Sequence, residues 1–413
     1  MALTDMVLMP GADYQGICDQ TRRITGETGT LTSGEVVTKL SGVPAGGGGG
    51  GTTAVSQKDI NFYDYDGTCV AAWSLAELAG KTALPDYPAH EGLTCQGWNW
   101  TLADLKAENA KMNVGAMYIT TDGKTRIYIT LQEGRTSPML GICPNGRVTV
   151  DWGDGTTPDT LTGTSLTTVK WTPTHSYAAP GDYVITLTVS GEMSIAGGTN
   201  SSNLLRYSSA MDDRNGVYLT SIQKIHVGAN VRIYGGAFAG CYGLAGVTLP
   251  STISTIASYA FQYCVRLPFV TLPSGISKIG DNSCNSCSAL IGIAIPNGVT
   301  AIEPTAFQSC YNLTAITIPN GLERIWDTAF QNCNAIASVS VPSSVSNIMG
   351  KAFAYCRGAS FYDFTTHTAV PTLGANAFAS LPADCEIRVP AALLDEWKTA
   401  TNWATYANKI VGV

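Results

Sequence analysis

A 23-residue period governs the C-terminal half of this 413-residue chain. Residues 305–325 read "TAFQSCYNLTAITIPNGLERI", and residues 328–348 read "TAFQNCNAIASVSVPSSVSNI". A unit this short has too few apolar residues to enclose a core by itself, so neighbouring units must stack on one another. The period therefore predicts a solenoid of stacked coils and not a compact globular domain.

Apolar residues recur at fixed positions of the repeat, which predicts the side chains that face the core. Phe238, Phe261, Phe307, Phe330 and Phe353 share one position, Leu249, Leu272, Ile295, Ile318 and Val341 a second, and Ile256, Ile279, Ile302, Ile325 and Ile348 a third. A proline follows each residue of the second set. The pattern predicts a short strand in each coil, a turn at the proline, a second extended segment, and a helical turn at sequences such as "TAFQSC".

Half of the twelve cysteines occupy a single position of the repeat, which argues against a disulfide framework. They are Cys241, Cys264, Cys287, Cys310, Cys333 and Cys356. A small side chain at a fixed apolar position indicates a reduced thiol in the core. Cys284 and Cys287 also have the spacing of a redox or zinc motif. Cys284 occupies the phenylalanine position of its coil, however, so we expect core thiols and no cofactor.

The pattern AFxxCxxLxxIxIPxxVxxI resembles the BspA-type leucine-rich repeat, which is common on bacterial cell surfaces and in their phages. The resemblance covers residues 218–390 and implies adhesion, not catalysis. The segment that follows, residues 391–413, begins "AALLDEWKTATNWATYANKI". Its apolar spacing predicts an amphipathic helix that caps the last coil.

Two surfaces of the solenoid are candidates for contact with a partner. The first is the strand face, whose outward residues are predicted to be mostly small and polar, as at Thr248 and Ser338. The second is the loop edge around the repeat cysteine, where tyrosine and arginine recur and are favoured contact residues. The candidate contact residues are Tyr242, Tyr263, Arg266, Phe269, Tyr311, Asn312, Tyr355 and Arg357.

The N-terminal 56 residues divide into a head and a tether. Residues 1–43 predict helices over "ADYQGICDQTRRITG" and "SGEVVTKL", and residues 44–56 form a glycine-rich linker. A short head followed by glycine resembles the attachment segments of phage tail and tail-fibre proteins. The resemblance implies that the head docks on other tail proteins.

Residues 57–115 predict a small α/β module. "DYDGT", at residues 64–68, has the aspartate pair of haloacid-dehalogenase phosphatases, but the rest of that scaffold has no room here. We therefore interpret Asp66-Gly67 as a turn between a strand and a helix. "HEGLTCQGWNW" and "TLADLKAENAKM" predict helices, and the tryptophans Trp98 and Trp100 beside Asn99 fit either a core or a sugar-stacking site.

Residues 116–217 alternate apolar and polar side chains and predict strands, with a hairpin turn at Asp122-Gly123. "RVTVDWGDGT" and "HSYAAPGDYVITLTVSG" resemble a PKD domain, which implies an immunoglobulin-like sandwich with Trp152 inside. Asp151 and Asp154 either cap a turn or supply oxygen ligands to calcium. The predicted fold is multidomain and mainly β: an α/β module, a PKD-like β-sandwich, and a leucine-rich-repeat solenoid with a capping helix.

The sequence contains no recognisable catalytic motif. Four histidines are scattered, HExxH and GxSxG are missing, and the Gly46–Gly51 run lacks the lysine of a phosphate-binding loop. Only 13% of the residues are charged and no basic cluster occurs, so nucleic acid is not an expected partner. We also expect no membrane insertion and no Sec signal peptide, because the apolar runs are too short.

These features lead to the hypothesis of a non-enzymatic bacteriophage tail fibre or receptor-binding protein. Such a protein would be assembled in the host cytoplasm, carried on the virion tail, and extracellular after lysis. It would bind a host-surface glycan or protein, and several copies, for example a homotrimer, would raise its avidity. The alternatives are a BspA-like bacterial surface adhesin and a purely structural or decorative virion protein.

Overall fold

The structure is a computed structural model that describes residues 55–56, 58–109, 111–197, 204–206 and 221–413. The predicted head at 1–43 and most of the predicted linker at 44–56 lie outside the described residues. The described part forms a small α/β module, a large mainly antiparallel sheet, and a solenoid of parallel strands.

The small module is a four-stranded sheet with two short helices. Its elements are β1 (Ile60–Tyr63), β2 (Cys69–Trp73), α1 (Leu75–Gly80), β3 (Leu93–Trp98), α2 (Leu102–Glu108) and β4 (Met112–Thr120). The strand order is β2-β1-β4-β3, with β1 and β4 parallel. Ser74 and Thr101 accept backbone hydrogen bonds at the starts of α1 and α2, and each forms a capping box that fixes where its helix begins.

Two local predictions for this module are wrong. "HEGLTCQGWNW" does not form a helix, because residues 93–98 pair with β4 as strand β3. Asp66-Gly67 lies in a turn as expected, but the turn joins β1 to β2 and not to a helix. Trp98 and Trp100 are buried, which places them in the core of the module and not at a sugar-stacking site.

A nine-stranded sheet follows the module. Its strands are β5 (Thr125–Leu131), β6 (Met139–Asp151), β7 (Asp159–Thr164), β8 (Lys170–Trp171), β9 (Gly181–Ile195), β10 (Leu205–Arg206), β11 (Ile222–His226), β12 (Val231–Ile233) and β13 (Gly246–Thr248). The main path is β10-β6-β9-β5-β11-β13. Strands β7 and β8 pair with β6, and β12 pairs with β9.

This sheet is continuous with the solenoid. Strand β5 is antiparallel to β11, and β11 is parallel to β13, so the sheet closes the N-terminal end of the coils. A separate immunoglobulin-like sandwich of the PKD type is therefore not confirmed. The hairpin predicted at Asp122-Gly123 is wrong, because β4 belongs to the module sheet and β5 to this one. The turn passes the chain from one sheet to the other.

Trp152 is fully buried in this sheet, as the sequence predicts. Its ring stacks on His175 with centroids 4.5 Å apart, and the hydroxyl of Tyr177 donates to its backbone carbonyl at 2.9 Å. The carboxylate of Asp154 lies 2.8 Å from Nε2 of His175. Asp151 and Asp154 each accept a hydrogen bond from the backbone amide two residues later, which is the geometry of a turn-capping aspartate.

The solenoid has two rows of short parallel strands. The first row contains β13, β16 (Gly292–Ala294), β18 (Ala315–Thr317), β20 (Ser338–Ser340), β22 (Phe361–Asp363), β24 (Glu386–Val389) and β25 (Ile410–Gly412), and the second contains β14 (Thr255–Ile256), β15 (Lys278–Ile279), β17 (Ala301–Ile302), β19 (Arg324–Ile325), β21 (Asn347–Ile348) and β23 (Thr372–Leu373). Equivalent residues of successive coils pair, as Ile302 does with Ile325. The strand face is the outer surface of the first row.

Two columns of buried side chains connect the coils. The rings of Phe307, Phe330 and Phe353 stack with centroids 5.3 Å apart at each step. The repeat cysteines are unpaired and buried, and Sγ of Cys333, for example, donates to the carbonyl of Phe307 at 3.1 Å. Burial raises the pKa of the Cys333 thiol, which keeps it protonated as a donor. The prediction of core thiols is confirmed.

The return segment of each coil is not the predicted helical turn. It contains two residues in the left-handed region, four positions apart, as at Thr328 (φ 56°) and Asn332 (φ 64°). Amide groups in this segment donate to carbonyls of the next coil, for example from Phe330 to Ala352 at 2.8 Å. These hydrogen bonds between coils alternate with local hydrogen bonds to the carbonyl three residues earlier, as from Gln331 to Thr328 at 3.1 Å, and they offset the cost of the left-handed residues.

Thr328 is a β-branched residue in the left-handed region, which is an unusual placement. An L-residue costs about 1–2 kcal/mol there, and asparagine tolerates the conformation better. We expect Thr328→Asn to raise the free energy of unfolding by about 0.5–1 kcal/mol, measured by urea denaturation of the full chain. Thr300→Asn, at an exposed threonine outside the left-handed set, is the control. An equal gain in both variants would contradict the argument from strain.

The C-terminal cap is only partly the predicted helix. Residues 391–413 form a 3-10 turn (Ala391–Leu393), helix α3 (Leu394–Thr399), a second 3-10 turn (Trp403–Tyr406) and strand β25. Trp397 and Trp403 are fully buried, with ring centroids 4.5 Å apart. Strand β25 pairs with β24, so the cap closes the apolar end and also extends the first row by one strand.

Candidate functional site

The small module covers the N-terminal half of the strand face. Strand β4 packs against β13, β16 and β18 of the solenoid. The ring of Tyr63 stacks on Phe269 with centroids 4.8 Å apart, and Phe269 is fully buried. Thr271 and Thr317 on the same face are buried as well. The prediction that Phe269 contacts an external partner is therefore wrong, because the module occupies that position.

Polar groups of "QGWNW" fix the module on the solenoid. Nδ2 of Asn99 donates to the carbonyl of Leu272 at 3.1 Å, and its Oδ1 accepts from the amide of Gly115 at 2.8 Å. Oε1 of Gln96 accepts from the amide of Ser251 at 3.1 Å. The two amide side chains of this motif thus bind the first coils, a role that the sequence analysis did not anticipate.

A buried polar cluster lies in the same interface. Oδ2 of Asp64 is 2.8 Å from Nε2 of His90, and the Tyr65 ring packs edge-on against His226 with centroids 5.3 Å apart. The Tyr65 hydroxyl accepts a hydrogen bond from Nζ of Lys224 at 3.1 Å. Burial raises the pKa of the Asp64 carboxyl. The aspartates of "DYDGT" therefore serve a turn and this cluster.

His226 makes the stability of the protein sensitive to acid. Burial, and secondarily the positive charges of Lys224, Arg126 and His90, lower the pKa of His226 to about 3. The unfolded chain binds this proton near pH 6.5 and the folded chain does not, so stability is complete above pH 6.5 and falls as the pH drops toward 3. We expect a loss of about 1.5–2 kcal/mol between pH 6.5 and 5 from this residue.

His226→Gln is the matched variant for this prediction, because glutamine does not titrate and can still reach the hydroxyl of Thr248, which lies 3.1 Å from Nδ1. The measurement is urea denaturation of both proteins at several pH values. The raised pKa of Asp64 acts in the opposite direction in both proteins, so it cancels in the difference. Parallel pH profiles for the two proteins would contradict the assignment to His226.

The C-terminal half of the strand face is accessible. The open strand face is defined here as Ser338, Ser340, Phe361, Asp363, Glu386 and Arg388, all of them half-buried or exposed. Cζ of Arg388 lies 4.0 Å from the centroid of the Phe361 ring, and Nε donates to Oε2 of Glu386 at 2.9 Å. This part of the molecule combines an aromatic ring, a fixed guanidinium group and carboxylates on one rigid row of strands.

The remaining candidate contact residues lie on the loop edge but do not form one cluster. Tyr263 and Tyr355 share a repeat position and are four coils apart, which is roughly 19 Å at 4.8 Å per coil. The half-buried members are Tyr242, Tyr263, Arg266, Tyr311 and Asn312, and the exposed ones are Tyr355 and Arg357. Burial lowers the pKa of Arg266 and raises that of Tyr263. A role of this edge in binding stays a prediction.

No group of three or more histidine, cysteine, aspartate or glutamate side chains is placed to hold a metal ion in the described ranges. Cys284 and Cys287 are both buried in the solenoid core, in keeping with their repeat positions. Among the described residues, no helix has the length and apolar character needed to cross a membrane.

Comparison with known proteins identifies the repeats. The family described as "BspA type Leucine rich repeat region" matches residues 231–360 in six copies. A leucine-rich repeat protein of T. pallidum has 30% sequence identity, with 36% of this chain and 68% of that chain covered and a TM-score of 0.34. A leucine-rich repeat protein of Bacteroides ovatus has 18% identity, with 46% and 67% covered and a TM-score of 0.28.

A leucine rich cell surface protein of Faecalibacterium prausnitzii has 20% identity, with 42% of this chain and 78% of that chain covered and a TM-score of 0.18. No curated protein matches the chain significantly. The 23-residue coils with their phenylalanine and cysteine columns agree with the family match, and residues 231–360 form BspA-type leucine-rich repeats.

Proposed function

We propose that the chain is an adhesion protein that binds a component of a cell surface through its solenoid. The observation that carries the proposal is the match of residues 231–360 to BspA-type repeats, a family whose resemblance implies adhesion. The open strand face adds a rigid surface that the module leaves accessible. A stacked solenoid suits this role because it holds many side chains in a fixed row, so little ordering is needed on binding.

A BspA-like surface adhesin is favoured over a phage tail fibre. The tail-fibre hypothesis drew on the resemblance of residues 1–56 to phage attachment segments, and nearly all of these residues lie outside the described residues. The match of residues 231–360 to BspA-type repeats supports the adhesin. Virion attachment, trimerisation and extracellular release by lysis remain parts of that less favoured proposal.

The test is binding of the labelled full chain to intact cells of several bacterial and animal types. We expect selective, saturable binding to some of them, and the same protein after heat unfolding is the control. Binding to none, or equal binding to all and by the unfolded control, would overturn the adhesion proposal. Antibody staining of the producing cells, compared with virions from the same culture, separates the adhesin from the tail protein.

A further inference from the structure

The open strand face continues an interface that the molecule already uses. Phe269 and Phe361 occupy the same repeat position, four coils apart. At Phe269 the module supplies the Tyr63 ring as a stacking partner, whereas at Phe361 the guanidinium of Arg388 takes that place, 4.0 Å from the ring centroid. The module of the same chain therefore covers the first row of strands at its N-terminal end. The open strand face, at the C-terminal end, is accessible and has its side chains already in place.

The polar groups of the open strand face are held in fixed positions. Arg388 is 37% exposed and is oriented by both the Phe361 ring and Glu386, so few rotamers are left to lose on binding. Among the described residues, the Arg388 guanidinium makes one hydrogen bond, from Nε to Glu386, so its terminal N–H groups are available to donate to a ligand. Oδ1 of Asp363 accepts from Thr365, which orients that carboxylate too.

The chemistry of the surface favours a polyhydroxylated ligand over a protein. Protein interfaces gain affinity from large apolar or aromatic anchors that become buried. In the described part, the large hydrophobic residues that are well exposed are Tyr87 in the module, Tyr355 on the loop edge and Val413 at the last position. None of these three lies on the open strand face. The open strand face offers hydroxyls, a guanidinium and carboxylates instead, which pair with vicinal sugar hydroxyls as donors and acceptors.

The charges of the open strand face narrow the class of glycan that can bind there. Asp363 and Glu386 flank the single cation of the open strand face, so a carboxylated or sulfated sugar would meet like charge. We propose that the open strand face binds a neutral glycan, with the hydroxyls of one sugar between Arg388 and Asp363 and the chain extending toward Ser338 and Ser340. This inference rests on the proposed adhesion function and names its ligand class.

The test is an array of neutral, carboxylated and sulfated glycans probed with the full chain. We expect neutral glycans to bind, Arg388→Ala to weaken that binding at least tenfold, and Arg388→Lys to restore little of it because lysine lacks the planar fork. The matched control is Arg324→Ala, because Arg324 also lies over an aromatic ring, Trp326 at 4.9 Å, but in the second row of strands. Equal thermal stability of the two alanine variants checks the fold.

Three results would overturn the inference. They are equal losses for Arg388→Ala and Arg324→Ala, binding of acidic glycans at least as strong as that of neutral ones, and the lack of binding to any neutral glycan. Periodate treatment of the target cells separates the two proposals. Cell binding that survives periodate but not protease would rule out the glycan as ligand and leave the adhesion proposal standing. The lack of any cell binding would overturn both the glycan proposal and the adhesion proposal.

Discussion

Replacing Phe330 with alanine is expected to lower the free energy of unfolding by about 3–5 kcal/mol. The Phe330 ring is fully buried and stacks on a phenylalanine of the coil before it and of the coil after it, at 5.3 Å each. Its removal therefore weakens two interfaces between coils at once. Because stability in a solenoid depends on contacts between neighbours, the loss is expected to split the unfolding transition in two.

Urea denaturation followed by circular dichroism is the measurement for Phe330→Ala. Phe361→Ala is the matched control, since it removes the same ring from a half-buried position on the strand face. We expect less than half the loss for the control. Similar losses in both variants would show that the buried ring column is not what holds the coils together.

The coils could be predicted from the sequence because their contacts recur. Phe307, for example, stacks on its equivalent Phe330 one period away, and the thiol of Cys333 bonds to the carbonyl of Phe307 in the preceding coil, so the repeat itself predicts which positions meet. The return segment was harder to predict. Thr305 and Thr328 are β-branched yet adopt positive φ, and only the hydrogen bonds to the next coil make that conformation acceptable.

Docking of the module could not be predicted in the same way, because its contacts join residues that are far apart in the sequence and occur once. Phe269 has the character of an outward contact residue until Tyr63 is placed on it. A weak signal was present in the strand column. Under the module it contains Gly246 and Gly292, although Phe269 lies between them in the same column, so the signal is incomplete. Small residues at outward positions indicate a close covering layer.

Gly115→Ala is expected to lower the free energy of unfolding by about 2–3 kcal/mol and to loosen the module from the strand face. Gly115 lies on β4 where this strand crosses the solenoid. A Cβ atom there would lie 2.8 Å from Cε1 of Phe269 and 2.9 Å from Cγ2 of Thr271. Neither side chain has room to move, since both are buried and Phe269 is stacked on Tyr63. The β4 backbone must shift away instead.

The control is Gly80→Ala, the same change in the same module at a position where a Cβ atom would meet nothing within 4 Å. Hydrogen exchange locates the effect. If the module covers the strand face in solution, Gly115→Ala raises exchange in β4 and β16 and leaves the column from Phe307 to Phe353 protected. If exchange is unchanged, β4 does not pack on the solenoid, and the strand face is open along its whole length. The binding surface would then include Thr271 and Phe269, and the structure would no longer single out Arg388 as the main ligand contact.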